Sequence, residues 1–404
     1  MRRLRNKATG VDNITKSQYE QNLKENLDAL ITRLKRKSYR PQPVLRVLIP
    51  KPGSDKGRPL GIPVYEDKLL QKALVKILNS VYECDFMNFS FGFRPDRSPH
   101  DALKALDYLF RMKKVNYVVD ADIKGFFDHV SHEWLMKFLG HRIADSNVQY
   151  IIHRFLKAGV MVDNTVQETG EGTPQGGVIS PLLANMYLHY ALDLWFAKVV
   201  KKRVKGEAYM VRFADDFVCC FQYKQDAEDF YQALQVRLKK FNLEIAKEKS
   251  KIIRFGRFAE TKCWKEEQKK PETFDFLGFT HYCGSSNRGN FRVKRRTSKK
   301  KYRASLQRVK EWVKKNRTVP VKDFMKMLKQ KLIGYFRYYG ITDNAQMLYR
   351  FACEVIKTLF KWLNRRSQRK SFVWEKFILF MKKYPLPMPK IYVNLYDVKP
   401  EFKF

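Results

Sequence analysis

The alternation of apolar and polar positions divides the chain into helical and extended stretches. Leu23, Leu27, Leu30, Ile31 and Leu34 recur at helical spacing and predict a basic amphipathic helix packed on another element. Residues 44–50 and 60–63 read as two strands joined by a cationic, glycine-bearing loop. Further helices are predicted over 69–81, over 99–110 with Ser98 as cap, from about His132, and over 225–238. Another is predicted over 145–160, with Val148, Ile151, Ile152 and Phe155 on its core face. Residues 115–123 alternate as a strand, which places Asp120 and Asp122 on one face. The aromatic and β-branched run 209–221 is interrupted by Asp215-Asp216 and reads as a hairpin with both carboxylates at its tip. With strand-like segments near 243–253 and 274–279, the order is that of a ferredoxin-like split βαβ sheet with the two acidic strands as central neighbours. Beyond about Gly284 the pattern turns helical. Leu306, Val309 and Val313 mark one helix, and Leu328, Leu332, Tyr335, Phe336 and Tyr339 another that Gly340 closes.

Charge then narrows the function. The 404 residues are 44% hydrophobic, enough for two or three domains with real cores and too many for a mainly disordered chain. Against 41 acidic residues stand 80 Lys and Arg, a formal net charge of +39. An excess of this size calls for a polyanionic partner and points to nucleic acid, where each neutralised phosphate releases counterions. A structural RNA-binding protein is the plain alternative. Six cysteines without a C-x-x-C pair read as reduced thiols of a cytoplasmic protein. Met1 to Arg5 is basic, but no apolar segment of signal-peptide or bilayer-spanning length follows, so neither secretion nor a membrane partner is expected.

The local chemistry sharpens this. The hairpin lacks the Asn-Gly or Asp-Gly turn that stability alone would favour, and its adjacent carboxylates repel unless a cation screens them. Paired hard oxygens suit Mg²⁺ with substrate phosphates; taken alone, an Asp-Asp pair is more often a solvated turn. Lys51, Lys56 and Arg58 in the first cationic loop suit a triphosphate. Arg94 and Arg97, set among Phe91 and Phe93, suit stacking and backbone contacts on nucleic acid. Asp122 and Phe127, five residues apart, match a metal-binding carboxylate at a strand end followed by a ring that floors a nucleotide sugar. The glycines of 172–177 permit close backbone approach, against which a base pair fits, and Pro181 suits a helix start. Arg292, Lys294, Arg295, Arg296, Lys299 and Lys300 form a basic run suited to holding a duplex.

These motifs, in this order, resemble bacterial group II intron-encoded reverse transcriptase/maturases. Phe213-Ala214-Asp215-Asp216 is similar to the family's aromatic-x-Asp-Asp box, and Asp122–Asp128, Gly172–Gly177 with Ser180–Asn185, and Phe91–Pro95 resemble its other palm and finger motifs. The likeness runs from about Gly10 to Tyr339. It implies an α+β right-hand polymerase: fingers over 1–115, a ferredoxin-like palm over 116–284 with a fingers insertion near 135–180, and a helical, basic thumb or maturase domain over 285–404. By resemblance Asp122, Asp215 and Asp216 are the metal-binding triad, which chooses Asp122 over Asp120, with Ile123 counted at both the metal and nucleotide sites. Lys51, Arg58, Phe127 and Gln175 would hold and select the dNTP, and Lys249, with Lys251 as close rival, would give a proton to pyrophosphate. Gly334–Tyr339 resembles the maturase signature. The implied cofactors are two Mg²⁺ ions, with Mn²⁺ as an alternative. The implied partners are an RNA template, a DNA or RNA primer, structured intron RNA and a DNA target, met in the bacterial cytoplasm at the nucleoid.

Two departures from the family pattern stand out. Up to Phe404 there is no His-Asn-His or Cys-rich endonuclease module, so cleavage of a second DNA strand is not implied, and Gly10-Val11-Asp12 follows a shorter lead-in than in relatives, as in a short or trimmed form. Two other readings compete: an RNA-binding splicing cofactor that keeps the fold as a scaffold, and a host-adopted relative in phage defence or DNA repair.

Overall fold

A computed structural model describes residues 8–49, 57–162, 165–167, 170–173, 176–266, 270–366 and 372–404. The chain divides into two compact units, one of residues 1–102, 118–252 and 404, the other of 103–117 and 253–403.

The first unit is built on two four-stranded sheets. Its strands are β1 (Val44–Ile49), β2 (Arg58–Ile62), β3 (Tyr117–Asp122), β4 (Val160–Val162), β5 (Thr165–Gln167), β6 (Ala208–Phe213), β7 (Asp216–Phe221) and β8 (Lys251–Arg254). One sheet runs β6-β7-β3-β8, the ferredoxin-like order expected, and it sets the acidic strands β3 and β7 side by side. Both faces of these strands are covered. Val118, Val119 and the whole run Phe217 to Phe221 are fully buried, which explains why β7 reads as continuous apolar residues rather than as an alternation.

The other sheet runs β2-β1-β4-β5, with β1 and β2 forming the expected antiparallel pair. Here one expectation fails. The helix predicted through residue 160 stops at Lys157, because Gly159 takes φ +77° and releases Val160 to pair in parallel with Val44. The N-terminal helix forms as Leu23–Lys35 behind a short helix, Lys16–Gln21, closed by a Thr15/Gln18 capping box. Of its apolar stripe Leu30 is buried, whereas Leu23 and Ile31 stay exposed. The predicted helix over 69–81 starts a turn earlier, as Tyr65–Tyr82, and Ser98 caps the helix Pro99–Met112 through a reciprocal pair of bonds with Asp101. A further helix, Ser180–Leu188, continues through two π-helical segments, His189–Asp193 and Phe196–Val200.

Asp67, in the first turn of Tyr65–Tyr82, is almost wholly buried and accepts bonds from the Tyr39 hydroxyl and, at 3.1 Å, the Gln42 amide. Burial raises its pKa from 3.8 to about 6 against the opposing pull of those two donors. An acid with a raised folded-state pKa burdens the fold once it ionises, so its penalty is absent below pH ~4 and complete above pH ~6. Urea unfolding of wild type and Asp67→Asn should therefore show the wild type gaining up to about 3 kcal/mol on the variant between pH 7 and pH 4. A pH-independent difference would contradict this account.

The second unit holds β9 (Phe274–Phe276), β10 (Phe279–Ser285) and β11 (Phe291–Thr297) in an antiparallel sheet. The helices Lys299–Asn316, Val321–Tyr339, Ala345–Leu363 and Trp374–Lys383 follow it, and a short helix, Ala259–Lys265, precedes it. Phe324, Leu328, Leu332 and Phe336 form a buried stripe at helical spacing, and Tyr335 stacks on Phe351 at 3.7 Å. This unit begins earlier than residue 285, a position that falls at the end of β10, which pairs with both β9 and β11. Within it Asp107 and Arg295, each about 1% exposed, form an ion pair at 2.7 Å, and Arg111 donates to the other carboxylate oxygen at 2.7 Å. The six cysteines are free thiols, and among the described residues no helix is long and apolar enough to cross a membrane.

Candidate active site

The acidic hairpin pairs Phe213 with Asp216, so its turn is the two residues Ala214-Asp215 and Asp216 is the first residue of β7. Both carboxylates were expected at the tip; one occupies the turn and the other opens the strand. Ala214 lies in the left-handed region at φ +59°, where L-residues are strained, which is the physical form of the missing turn signal. Phe89 to Gly92 lie against this hairpin: the Arg212 amide donates to the Phe89 carbonyl and the Phe91 amide to the Arg212 carbonyl, each at 2.8 Å. A side chain on Gly92 would meet the Ala214 nitrogen at 2.2 Å, so only glycine fits there.

Asp122 ends β3, next to the strand that begins with Asp216. Its amide donates to Ser250 Oγ at 3.2 Å, its carbonyl accepts from the Ala246 amide at 2.8 Å, and Ile123 bridges Ile245. Lys249 Nζ donates to Asp122 Oδ2 at 2.9 Å, and this bond raises the lysine pKa and keeps the ammonium charged. Lys251, its rival in the sequence reading, opens β8. Ile123 is buried, and having no side-chain donor it offers a metal only its carbonyl oxygen.

Among the described residues no three His, Cys, Asp or Glu side chains converge closely enough to hold a metal by themselves. The donor chemistry nevertheless suits a hard divalent cation. Asp122 ends one strand and Asp216 opens its neighbour, so both carboxylates belong to adjacent strands, and Asp122, partly exposed, pairs with Lys249. Such residues fit Mg²⁺ as part of a shell that phosphate oxygens and water complete.

Nearby in the chain, Phe127 sits in a 3₁₀ turn, Phe126–Asp128, and lines a cavity of about 370 Å³. Val44 and Arg46 of β1, Gly61 of β2 and the Gly172-Thr173 segment also line it. Thr173 hangs on the Phe127 carbonyl through its amide at 2.8 Å, while His132 Nε2 donates to the Gly172 carbonyl at 2.7 Å. Gly176, at φ +115°, approaches β2 so closely that a Cβ would meet the Gly61 carbonyl at 2.4 Å. Gln71 accepts from the amides of Val178 and Ile179 and ties the same loop to the helix Tyr65–Tyr82. Lys51 and Gln175 lie outside the described residues, as does the Arg58 side chain. Arg46 is a cation at the cavity that sequence reading passed over as an ordinary strand position.

The expected nucleic-acid contacts need correction at several arginines. Arg94 is buried and spends its guanidinium on Glu83 at 2.7 Å and on the carbonyls of Met87 and Ser90. Arg97, largely covered, donates to the Asn88 carbonyl at 2.7 Å, and Phe91 is fully buried, which leaves Phe93 as that motif's exposed ring. Arg295 is buried against Asp107, and Arg292 pairs with Asp343. The reason is strand alternation: in β11 Val293, Arg295 and Thr297 face inward, and a run of charges read by composition hides that period. Arg296, Lys299 and Lys300 remain exposed and Lys294 half-buried.

Comparison with known proteins shows the family to which the chain belongs. Residues 49–281 match the family described as reverse transcriptase (RNA-dependent DNA polymerase), and residues 302–378 match the group II intron maturase-specific domain. The group II intron-encoded protein LtrA of Lactococcus lactis subsp. cremoris is 46% identical over 165 residues, 41% of this chain and 27% of that protein. Protein YkfC of Escherichia coli K12 is 33% identical over 237 residues, 52% of this chain and 62% of that one. The match thus spans about a quarter of LtrA and somewhat under two thirds of YkfC. Among solved structures, apo telomerase from Candida tropicalis aligns with a TM-score of 0.46 at 16% identity, over 63% of this chain and 55% of that one.

Proposed function

Because the chain belongs to the reverse transcriptase family and carries a group II intron maturase-specific domain, we propose that it copies RNA into DNA and binds intron RNA to assist its splicing and mobility. The observation that carries this reading is the placement of Asp122 at the end of β3, beside the strand that Asp215 and Asp216 introduce. In this proposal residues 1–115, 116–284 and 285–404 supply fingers, palm and thumb functions. Its substrates are dNTPs and a primer of DNA or RNA on an RNA template, with intron RNA and a DNA target as further partners at the bacterial nucleoid.

Asp122 and Asp215, with the Ile123 carbonyl, would hold two Mg²⁺ ions, or Mn²⁺ in their place, while Asp216 shapes the field at the same edge. When bound, the metal lowers the pKa of the primer 3′-hydroxyl and neutralises charge on the leaving pyrophosphate. The remaining work is the chain's own. Lys249, which donates to Asp122 Oδ2 at 2.9 Å, would give a proton to pyrophosphate. Phe127 walls the cavity on the sugar side and excludes a ribose 2′-hydroxyl, while Arg46, with Lys51 and Arg58, attracts the triphosphate. Arg296, Lys299 and Lys300 offer exposed cations to the RNA backbone.

Primer extension on an RNA template with Mg²⁺, run with dNTPs and with rNTPs, tests this directly. Wild type should extend with dNTPs, and Phe127→Ala should improve rNTP use relative to dNTP by about tenfold or more, since the wall against the extra hydroxyl is gone. Tight RNA binding without extension would instead favour a splicing cofactor that only binds.

A further inference from the structure

Arg212 stands one residue before the end of β6, fully buried between apolar neighbours, where a cation demands a partner. Asp193, equally buried, provides it. Arg212 Nε donates to Asp193 Oδ1 at 2.7 Å and Nη2 donates to Oδ2. That pair satisfies one edge of the guanidinium. The other edge points at the hairpin: Nη1 donates to the Ala214 carbonyl at 2.9 Å and to Asn185 Oδ1 at 3.2 Å. Asn185 in turn donates from Nδ2 to the Gly92 carbonyl at 2.6 Å, and Gly92 is the residue pressed against the Ala214 nitrogen.

The turn itself supplies the second argument. Two-residue hairpin turns come in two forms that differ by a flip of the peptide between the central residues. Ala214 has positive φ and Asp215 does not, which is the form with a left-handed residue in the first position only, normally glycine. The peptide that would flip joins Ala214 to Asp215, and its carbonyl is the group Arg212 holds. A flip would swing the Asp215 backbone and carry its carboxylate away from the edge where β3 ends. Burial alone requires Nη1 to find acceptors, and because one of them is the carbonyl of the peptide that would flip, the buried pair is coupled to the turn.

We propose that Arg212, fixed by Asp193 and Asn185, is a positioning residue that locks the Ala214-Asp215 peptide and so holds the Asp215 carboxylate in its metal-binding orientation. The inference rests on the polymerase reading and adds to it a residue that touches neither substrate nor metal. Arg212→Lys keeps a positive charge opposite Asp193 but lacks a second edge for the Ala214 carbonyl.

The test compares wild type, Arg212→Lys and Asn185→Ala in steady-state primer extension, Mg²⁺ titration, thermal melting and Mn²⁺ binding followed by electron paramagnetic resonance. Arg212→Lys should lower kcat 10- to 100-fold, leave the dNTP KM within about threefold, and raise the Mg²⁺ needed for half-maximal rate at least threefold. Mn²⁺ binding should weaken by a similar factor. A merely structural role would lower the melting temperature and the yield of active protein without moving the metal requirement. If Arg212→Lys does not fold, Asn185→Ala decides: a kcat at least about threefold lower with unchanged melting supports the lock, and a kcat within about twofold of wild type overturns it. A folded Arg212→Lys with wild-type kcat and metal requirement also overturns it. Wild-type protein that extends no primer removes the polymerase reading and the lock together, whereas active wild type with unaffected variants removes the lock alone.

Discussion

Asp215→Ala is expected to lose on the order of a thousandfold in the rate of RNA-templated extension while binding template and primer within about twofold of wild type. The asymmetry follows from where the residue sits. Asp215 lies in a two-residue turn, and the cations proposed to bind RNA, Arg296, Lys299 and Lys300, are untouched by the change. Removing one carboxylate subtracts little from an electrostatic binding term carried by a +39 chain, yet it removes a proposed metal ligand on which alignment of the reacting oxygens would depend. Folding should not suffer, because alanine already occupies the more strained position of the turn at 214. Single-turnover extension alongside a filter-binding isotherm checks both halves. Substantial extension by the variant would falsify the assignment of Asp215 to the metal site.

The largest loss of stability is expected at a place the chemistry never touches. Asp107→Ala should destabilise the second unit by about 3–5 kcal/mol, because it strands a buried guanidinium. Among the described residues Arg295 has one charged partner within hydrogen-bond reach, Asp107, and its Nε and Nη2 atoms find no acceptor. Beside it His281 is buried and stacked on Phe274, and burial, reinforced by the Arg295 charge, depresses its pKa, so this ring stays neutral and adds no second cation. Thermal or urea unfolding of Asp107→Ala measures the loss. Replacing both partners with apolar residues, as in Asp107→Leu with Arg295→Met, should recover most of it, since no charge is then left unpaired. A double variant as unstable as the single one would show that the site depends on packing instead.

Much of the fold could be read in advance because the relevant signals were local. The Asp215-Asp216 hairpin announced itself by β-prone residues around a turn with the wrong chemistry, and Ala214 in a left-handed conformation is that mismatch made visible. The split βαβ order followed from the alternation of periods, and Ser98 from its place before an apolar helix. What escaped the sequence depended on distant partners. Arg212 looks like one more cation in a basic chain until Asp193, on a π-helical segment, is brought to it. Arg94 and Arg295 were assigned to nucleic acid by the company they keep in sequence, whereas Glu83 and Asp107 claim them in space. The alternation within β11 would have separated Arg295 from Arg296, but a cluster of charges is easily read as a surface and its period overlooked. The end of the helix at Lys157 was marked by Gly159, a local signal outweighed by the run of apolar residues around it.

The two π-helical segments that follow Ser180–Leu188 give that stretch an unusual tolerance as well as a vulnerability. Each is the trace of a wider turn inside an otherwise regular helix, and such a turn can be relieved by losing a single residue. A deletion within His189–Asp193 would improve the local hydrogen bonding, yet it would rotate everything downstream by about 100° and shift it by about 1.5 Å. The segment therefore works like a phase adjuster: chain length here sets whether the Asp193 carboxylate faces Arg212. Among relatives of this protein, insertions and deletions should be scarce in these few positions, and Asp193 itself should be kept, because length and identity together bring a carboxylate to Arg212.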